Sequence, residues 1–498
     1  VNPTNAQSSP AHQASWATTW AYLGIAIGAA NFILLLPRLL DVDEVGLVRL
    51  VAAGSLIFIK FAFFGLDTSA VRFLAGEEPG SSRYQSQWRL LLLLCVIGLF
   101  AAIGPALLIL LKQWSASGVK SIGRNLAIFL ILALCIGMLW QRFAESIAQV
   151  AGKTAQAAFW RDLAPRVSIL IGAIGIALQR WDFAGLLILW ASTYLIGAVW
   201  LNRSVQQGGL YAPPFGPLPG ARQIRETLRF ASYSFMGTAA ATMQTTLDSI
   251  MLAALVGLNE LGVYTPFAYA ATLIMIPMRS LTAACYARFR QAVETADLKT
   301  GRTLYTDVSL LQLSASGLIF VLLGINLPIL VSLLGEGAYA AGAPVLIILG
   351  MGFWFEAALG QPSQVILSSP HYRLHGFINT LSLPVGILLN FLLIPLLGGI
   401  GAALATAATL TLAAAVKAWL VWRQYRMHPF STPYWATLGL LLFIFALNTV
   451  FSIERSPSFS SCVFRSAISC IFLSAFAWKL DLLPHFRQTL SRLNRTNA

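Results

Sequence analysis

The sequence predicts an all-α polytopic membrane protein with about 14 transmembrane helices, arranged as two pseudo-symmetric six-helix lobes plus two C-terminal helices. Three observations predict it. Apolar residues fall into blocks of membrane-crossing length, Lys and Arg gather in alternate connections, and the chain repeats itself at an offset of 216 residues.

Composition sets the class. Of 498 residues 57% are hydrophobic and 10% charged, with a mean hydropathy of +0.73. A soluble chain of this length needs far more charge to cover its surface. The blocks run to roughly 20 residues, enough for a helix to cross a ~30 Å hydrocarbon core. Lipid offers no partners to backbone polar groups, so each block is expected to be a helix. Cys95, Cys135, Cys285, Cys462 and Cys470 all lie in apolar blocks without a CxxC pair, which points to neither a disulfide framework nor a zinc site. The first 15 residues carry no Lys or Arg and no A-x-A site, so no cleavable signal peptide is expected.

The expected spans are 16–36, 46–66, 89–111, 125–141, 163–178, 183–201, 230–256, 261–285, 307–334, 342–368, 374–397, 399–422, 433–452 and 460–480. With the N-terminus inside, 22 Lys and Arg fall in cytoplasmic connections, 6 on the opposite side and 5 within spans. Positive connections stay in the cytoplasm, so both termini are expected there. The net charge of +14 is thereby a signature of topology, and no nucleic-acid partner is expected. Trp16, Trp20, Trp88, Trp140, Trp200, Trp422 and Trp435 sit near span ends, as an aromatic belt requires. The connections are too short for a separate globular domain, and no enzyme is expected.

The repeat organises the spans. Asp43-Glu44-Val45-Gly46 aligns with Asn259-Glu260-Leu261-Gly262, and Ala184-Gly185 with Ile400-Gly401, at the same offset of 216. An even number of spans separates the copies, so they share one orientation, as in parallel transporter repeats. The expected organisation is a cytoplasmic tail at 1–15, an N-lobe at 16–201, a cytoplasmic linker at 202–229, a C-lobe at 230–422, two further spans within 433–480 and a tail at 481–498. Two such lobes point to a transporter with its substrate site where they meet.

Charges at bilayer depth cost about 2.5–3.5 kcal/mol each and are expected to face protein or water. Arg49, Lys60 and Asp67 are 11 and 7 residues apart, within about 20° of one stripe at ~100° per residue. Arg279 falls at the depth of Lys60 in the second copy. Lys60, Arg279 and Arg49 are therefore candidate cavity cations for an anionic headgroup, with snorkelling or structural pairing as the competing reading. Asp248 and Glu356 are the deepest acids; with Asp67 they either couple a proton or Na⁺, or balance the cations. Lys417 and Arg465, near span ends, are expected to snorkel. Arg142 and Glu145, three apart, read as a local helix pair. His371 and His375 have a metal-like spacing but no third ligand, so no metal or other cofactor is expected. No catalytic constellation is present in the pattern.

Several stretches resemble the polysaccharide transporter family of O-antigen and exopolysaccharide flippases, within the multidrug/oligosaccharidyl-lipid/polysaccharide superfamily. They are PRLLDVDEVGLVRL (37–50), FFGLDTSAVRFLA (63–75), DSIMLAALVGLNELGVYTPFAYA (248–270), LLGEGAYAAGAPVLIILG (333–350) and LLNFLLIPLLGGIGAALATAATL (388–410). The resemblance implies two six-helix lobes in a V in the bacterial inner membrane, alternately open inward and outward. It implies undecaprenyl-pyrophosphate-linked oligosaccharide as substrate, with glycosyltransferases and a polysaccharide polymerase as working partners. The family has no universal catalytic motif, so no active residue is carried over. A lipid II flippase shares the expected fourteen-span plan with a cationic cavity, while a multidrug and toxin extrusion antiporter usually carries an early coupling acid where this chain has only Asn31.

Overall fold

The computed structural model describes residues 10–75, 77–78, 81–116, 124–207, 216–295, 297–451, 464–467 and 469–471. Residues 1–9, most of the expected span at 460–480 and the tail at 481–498 lie outside the described residues. Among the described residues every regular element is helical. Seven segments among the described residues are long and apolar enough to cross a membrane: His12–Leu39, Val42–Phe63, Phe183–Gln207, Leu258–Thr282, Leu298–Ile325, Gly337–Ala358 and Arg373–Tyr425. The chain is a multi-pass helical membrane protein.

The chain forms two units, Val1–Gly262 and Val263–Ala498. The first holds α1 (Pro10–Ala30), α2 (Leu36–Leu39), α3 (Val42–Phe63), α4 (Leu66–Leu74), α5 (Ser82–Ala116), α6 (Arg124–Val150), α7 (Thr154–Ala158), α8 (Ala164–Ala177), α9 (Phe183–Gln207), α10 (Ala221–Gln244), α11 (Leu247–Leu255) and the start of α12 (Leu258–Thr272). The second completes α12 and adds α13 (Ile276–Glu294), α14 (Leu298–Ile325), α15 (Leu327–Leu334), α16 (Glu336–Tyr339), α17 (Ala343–Ala358), α18 (Pro362–Leu367), α19 (Arg373–Tyr425) and α20 (Thr432–Phe451).

Local chemistry sets the boundaries that matter for function. Asp41 and Glu44 form a capping box that starts α3, satisfying N–H groups a helix start leaves open. Phe64 and Gly65 then both adopt left-handed backbone, at φ 46° and 78°, and end it. Gly65 is required twice over, because a Cβ there would also collide with the Ala231 carbonyl of α10. The arginine-bearing stretch Arg222, Arg225 and Arg229 is already helical, so α10 begins at Ala221, ahead of the expected span at 230–256. A second break at Thr245–Thr246 separates α10 from α11. Before α14, hydrogen bonds from the side chain and backbone of Thr300 hold the Asp297 carboxyl below its ordinary range.

In the first unit α6 lies along α9, α8 packs on α9, and α3 runs beside α5 and α6. Small residues allow these close approaches: Gly98 faces the Ala62 carbonyl, and Gly137 meets Tyr194 and Leu195. In the second unit Cys285, Phe289, Leu304, Tyr305, Val308, Val365, Ile366, Val421 and Met427 form a buried core. Polar groups there find internal partners, as lipid demands. The Tyr305 hydroxyl donates to the Leu359 carbonyl at 2.7 Å and Trp354 Nε1 to that of Leu313 at 3.1 Å.

α19 has 53 residues, and a straight helix of that length would extend about 80 Å. It is instead broken at Gly398 (φ 56°, ψ −131°), which separates two apolar arms. The arms coincide with the expected pair 374–397 and 399–422. Only a residue without a Cβ adopts that backbone without strain.

Candidate functional site

In the first unit the stripe expected on one helix is carried by two. Lys60 ends α3 and Asp67 begins α4, yet Lys60 Nζ reaches Asp67 Oδ2 at 3.3 Å across the break at Phe64–Gly65. Both side chains keep about a third or less of their surface exposed (27% and 33%), a half-solvated pair rather than a sealed one. Asp67 Oδ1 also accepts from the Thr68 backbone N–H at 2.9 Å, and the Thr68 hydroxyl bonds the Ser234 hydroxyl of α10. Farther along α3, Arg49 Nε donates to Ser249 Oγ at 3.0 Å. Ser249 in turn donates to Asp248 Oδ1 through its backbone N–H (2.6 Å) and its hydroxyl (3.1 Å). Arg49 and Asp248 thus belong to one hydrogen-bonded chain tying α3 to α11.

Next to Asp67 the first unit encloses a pocket of about 420 Å³ lined by Asp67, Thr68, Val71, Arg72, Arg142, Glu145, Ser146, Gln149 and Arg161. Glu145 is its buried anchor, with a side chain 4% exposed. It accepts from Arg142 at 2.9 Å, as the three-residue spacing predicts, and also from Arg161 at 2.8 Å and Gln149 at 3.2 Å. Arg161 is further held by Asp162, with Nη2 to Oδ2 at 2.7 Å. Arg72 lies 4.3 Å over the Phe230 ring, a cation–π seat that fixes the guanidinium plane. Arg72, Arg161 and the pocket they both line were not legible from helical spacing.

In the second unit Glu356 of α17 stands opposite two cations, Lys417 of α19 and Arg279 of α13, as its main opposing charges. Neither comes within ion-pair distance, and one Glu356 carboxylate oxygen is buried without a hydrogen-bond partner. Arg279 stays exposed. Lys417 departs from expectation: it is 8% exposed rather than reaching outward. The turn at Gly398 is the reason, since it folds the second arm of α19 back along the first. His375 on the first arm consequently feels the charge of Lys417, and its Nε2 sits 3.1 Å from Asn379 Nδ2.

The fold resembles solved transporters. The lipid II flippase MurJ in an inward closed conformation matches 93% of this chain and 99% of its own, at 13% identity and a TM-score of 0.70. An inward-facing multidrug resistance MATE family transporter of the MOP superfamily matches 84% of this chain and 98% of its own, at 14% identity and a TM-score of 0.63. A MOP superfamily transporter from Pyrococcus furiosus matches 84% of this chain and 97% of its own, at 13% identity and a TM-score of 0.55. At these identities the likeness establishes the fold. No curated protein sequence matches the chain. The family described as polysaccharide biosynthesis protein matches residues 13–289, more than half of the chain, and to that family the chain belongs.

Proposed function

We propose that the chain is a flippase for undecaprenyl-pyrophosphate-linked oligosaccharide, the repeat unit of an O-antigen, capsule or exopolysaccharide, in the bacterial inner membrane. The observation that carries the reading is the half-solvated Lys60–Asp67 pair, at the end of the apolar helix α3, beside a pocket of about 420 Å³ lined by charged side chains. The lining residues fall in connections expected to be cytoplasmic, so in this reading the pair and the pocket stand at the inner mouth of a hydrated path, where a charged headgroup enters. Family membership supports the substrate class, and the transporter fold supports movement over catalysis.

In this reading about 14 spans form two six-helix lobes and a C-terminal pair, with both termini in the cytoplasm. The sugar-bearing headgroup passes through a cleft between the lobes as they open alternately inward and outward, and the polyprenyl tail stays in lipid. Lys60, Arg279 and Arg49 offset the pyrophosphate charge. Asp67 and Asp248 balance the cations, and Glu356 couples the cycle to a proton or sodium gradient. The chain performs no covalent step; glycosyltransferases supply its substrate and a polymerase consumes it.

A second reading is lipid II transport, favoured by the near-complete structural overlap with a lipid II flippase; a multidrug antiporter is the third. Complementation separates them. Expression in a strain lacking its polysaccharide repeat-unit flippase should restore surface glycan. Rescue instead of a strain depleted of its lipid II flippase, with no surface glycan restored, would sink the proposal in favour of the second reading.

A further inference from the structure

The pocket beside Asp67 contains more cation than its structural pairs consume. Among the described residues Arg72, Arg142 and Arg161 line it with Asp67 and Glu145, and ion pairs add Lys60 beside Asp67 and Asp162 beside Arg161. Arg161 is committed, giving Nε and Nη2 to Asp162 and Nη1 to Glu145. Lys60 is committed to Asp67. Arg142 spends one nitrogen on Glu145, and its side chain is 35% exposed. Arg72 has no carboxylate within ion-pair distance among the described residues, and its side chain is exposed. The surplus charge and the open donors therefore fall on Arg72 and Arg142, which line the same pocket.

We infer that this pocket is a phosphate-binding site, with Arg72 and Arg142 as its ligands. A guanidinium presents paired N–H groups that match phosphate oxygens. Stacking on Phe230 holds the Arg72 plane in place before any ligand arrives, and Glu145 does the same for Arg142. The volume lies within the ~300–1,000 Å³ usual for small-ligand sites. Asp67 and Glu145 share the wall and would repel an anion, but Lys60 covers the first, and two arginines with Gln149 cover the second. Asp67 thereby sets the affinity: removing its charge leaves Lys60 as a further cation at the rim.

The inference rests on the reading of the chain as a carrier of phosphate-linked substrate and gives that substrate a station in the first unit. The phosphate has two sources, the polyprenyl pyrophosphate or a bulk anionic phospholipid.

The test uses the full chain in phosphatidylcholine nanodiscs, titrated with inorganic pyrophosphate. Each variant loses charge-assisted hydrogen bonds, so Arg72→Gln and Arg142→Gln should each weaken binding about tenfold or more. Asp67→Asn should tighten it several-fold, an effect that a purely structural role for the pocket does not produce. Arg72→Gln breaks no ion pair, and an unchanged melting temperature certifies its fold. Absence of pyrophosphate binding to the parent chain, or binding unchanged in Arg72→Gln, overturns the inference. Competition by undecaprenyl pyrophosphate identifies the substrate as the source, whereas competition only by added phosphatidylglycerol identifies bulk lipid. If Arg72→Gln retains pyrophosphate binding while glycan rescue succeeds, the station falls and the flippase reading stands; Arg72-dependent binding with failed rescue gives the reverse.

Discussion

Gly46 and Gly262 make the same contact in opposite directions. A Cβ on Gly46 would collide with the carbonyl of Leu258, and a Cβ on Gly262 would collide with the carbonyl of Val42. Both pairs, Val42 with Leu258 and Gly46 with Gly262, are 216 residues apart, the offset of the internal repeat. Residue i meeting j′ while i′ meets j is the mark of a two-fold contact. The duplicated segment thus packs against its own copy, through a surface that only glycine permits on either side.

This reciprocity makes a prediction about stability. Gly46→Leu and Gly262→Leu should destabilise to similar extents, each by about 1–3 kcal/mol or more, since a side chain must displace backbone rather than a flexible tip. Gly54, with nothing within 4 Å of its would-be Cβ, should tolerate Ala. Melting temperatures of the detergent-solubilised variants measure this; a stable Gly46→Leu beside an unstable Gly262→Leu would break the symmetry argument.

Glu145 joins α6 to the helical turn after α7 through Arg161 and pairs with Arg142 on its own helix. Replacing it with Gln removes the one carboxylate Arg142 pairs with and leaves Arg161 with Asp162 alone. Fully buried pairs broken in this way lose about 3–5 kcal/mol. Because the arginines are about a third exposed, a loss on the order of 2 kcal/mol is expected. An unaltered melting profile for Glu145→Gln would show that the junction contributes nothing to the fold.

Transport should depend on cations in both units. Lys60→Ala and Arg279→Ala should each lower surface glycan in a complemented strain at unchanged protein level. Lys60→Ala also uncovers the Asp67 carboxylate, so adding Asp67→Asn should recover part of the loss. Wild-type glycan from both single variants removes these residues from the substrate path.

Glu356 offers the coupling test. It has a buried carboxylate oxygen without a hydrogen-bond partner, and Lys417 and Arg279 are its main opposing charges. Glu356→Gln should flatten the dependence of flipping on an imposed proton or sodium gradient in proteoliposomes while leaving some gradient-independent exchange. A gradient response equal to that of the parent chain would assign Glu356 to charge balance alone.

Much of this was legible from residue order, where local rules apply. Block length located the apolar helices, and the three-residue spacing of Arg142 and Glu145 foretold their bond. The stripe of Arg49, Lys60 and Asp67 points first to a cavity face, with pairing of Lys60 and Asp67 as the competing reading; the structure makes that pair, through a left-handed break instead of a continuous helical face. The unread part is tertiary. Arg161 reaches Glu145 from 16 residues away through a turn, and no periodicity encodes that. Lys417 lies near a span end in sequence, so distance to the interface suggested solvent; the return of α19 at Gly398 encloses it instead. The early start of α10 was hidden because arginines on its first turns resemble a polar connection.

The reversal at Gly398 bears on how the protein is made. Asn379 and Asn390 sit buried on the first arm, and Lys417 is enclosed on the second. An arm released alone from the insertion machinery would present those groups to hydrocarbon, at a penalty its partner largely removes. With no connecting segment between them, the two arms are suited to leave the translocon as a single hairpin, so that a charge which a lone helix would carry at a disadvantage enters the bilayer already sheltered.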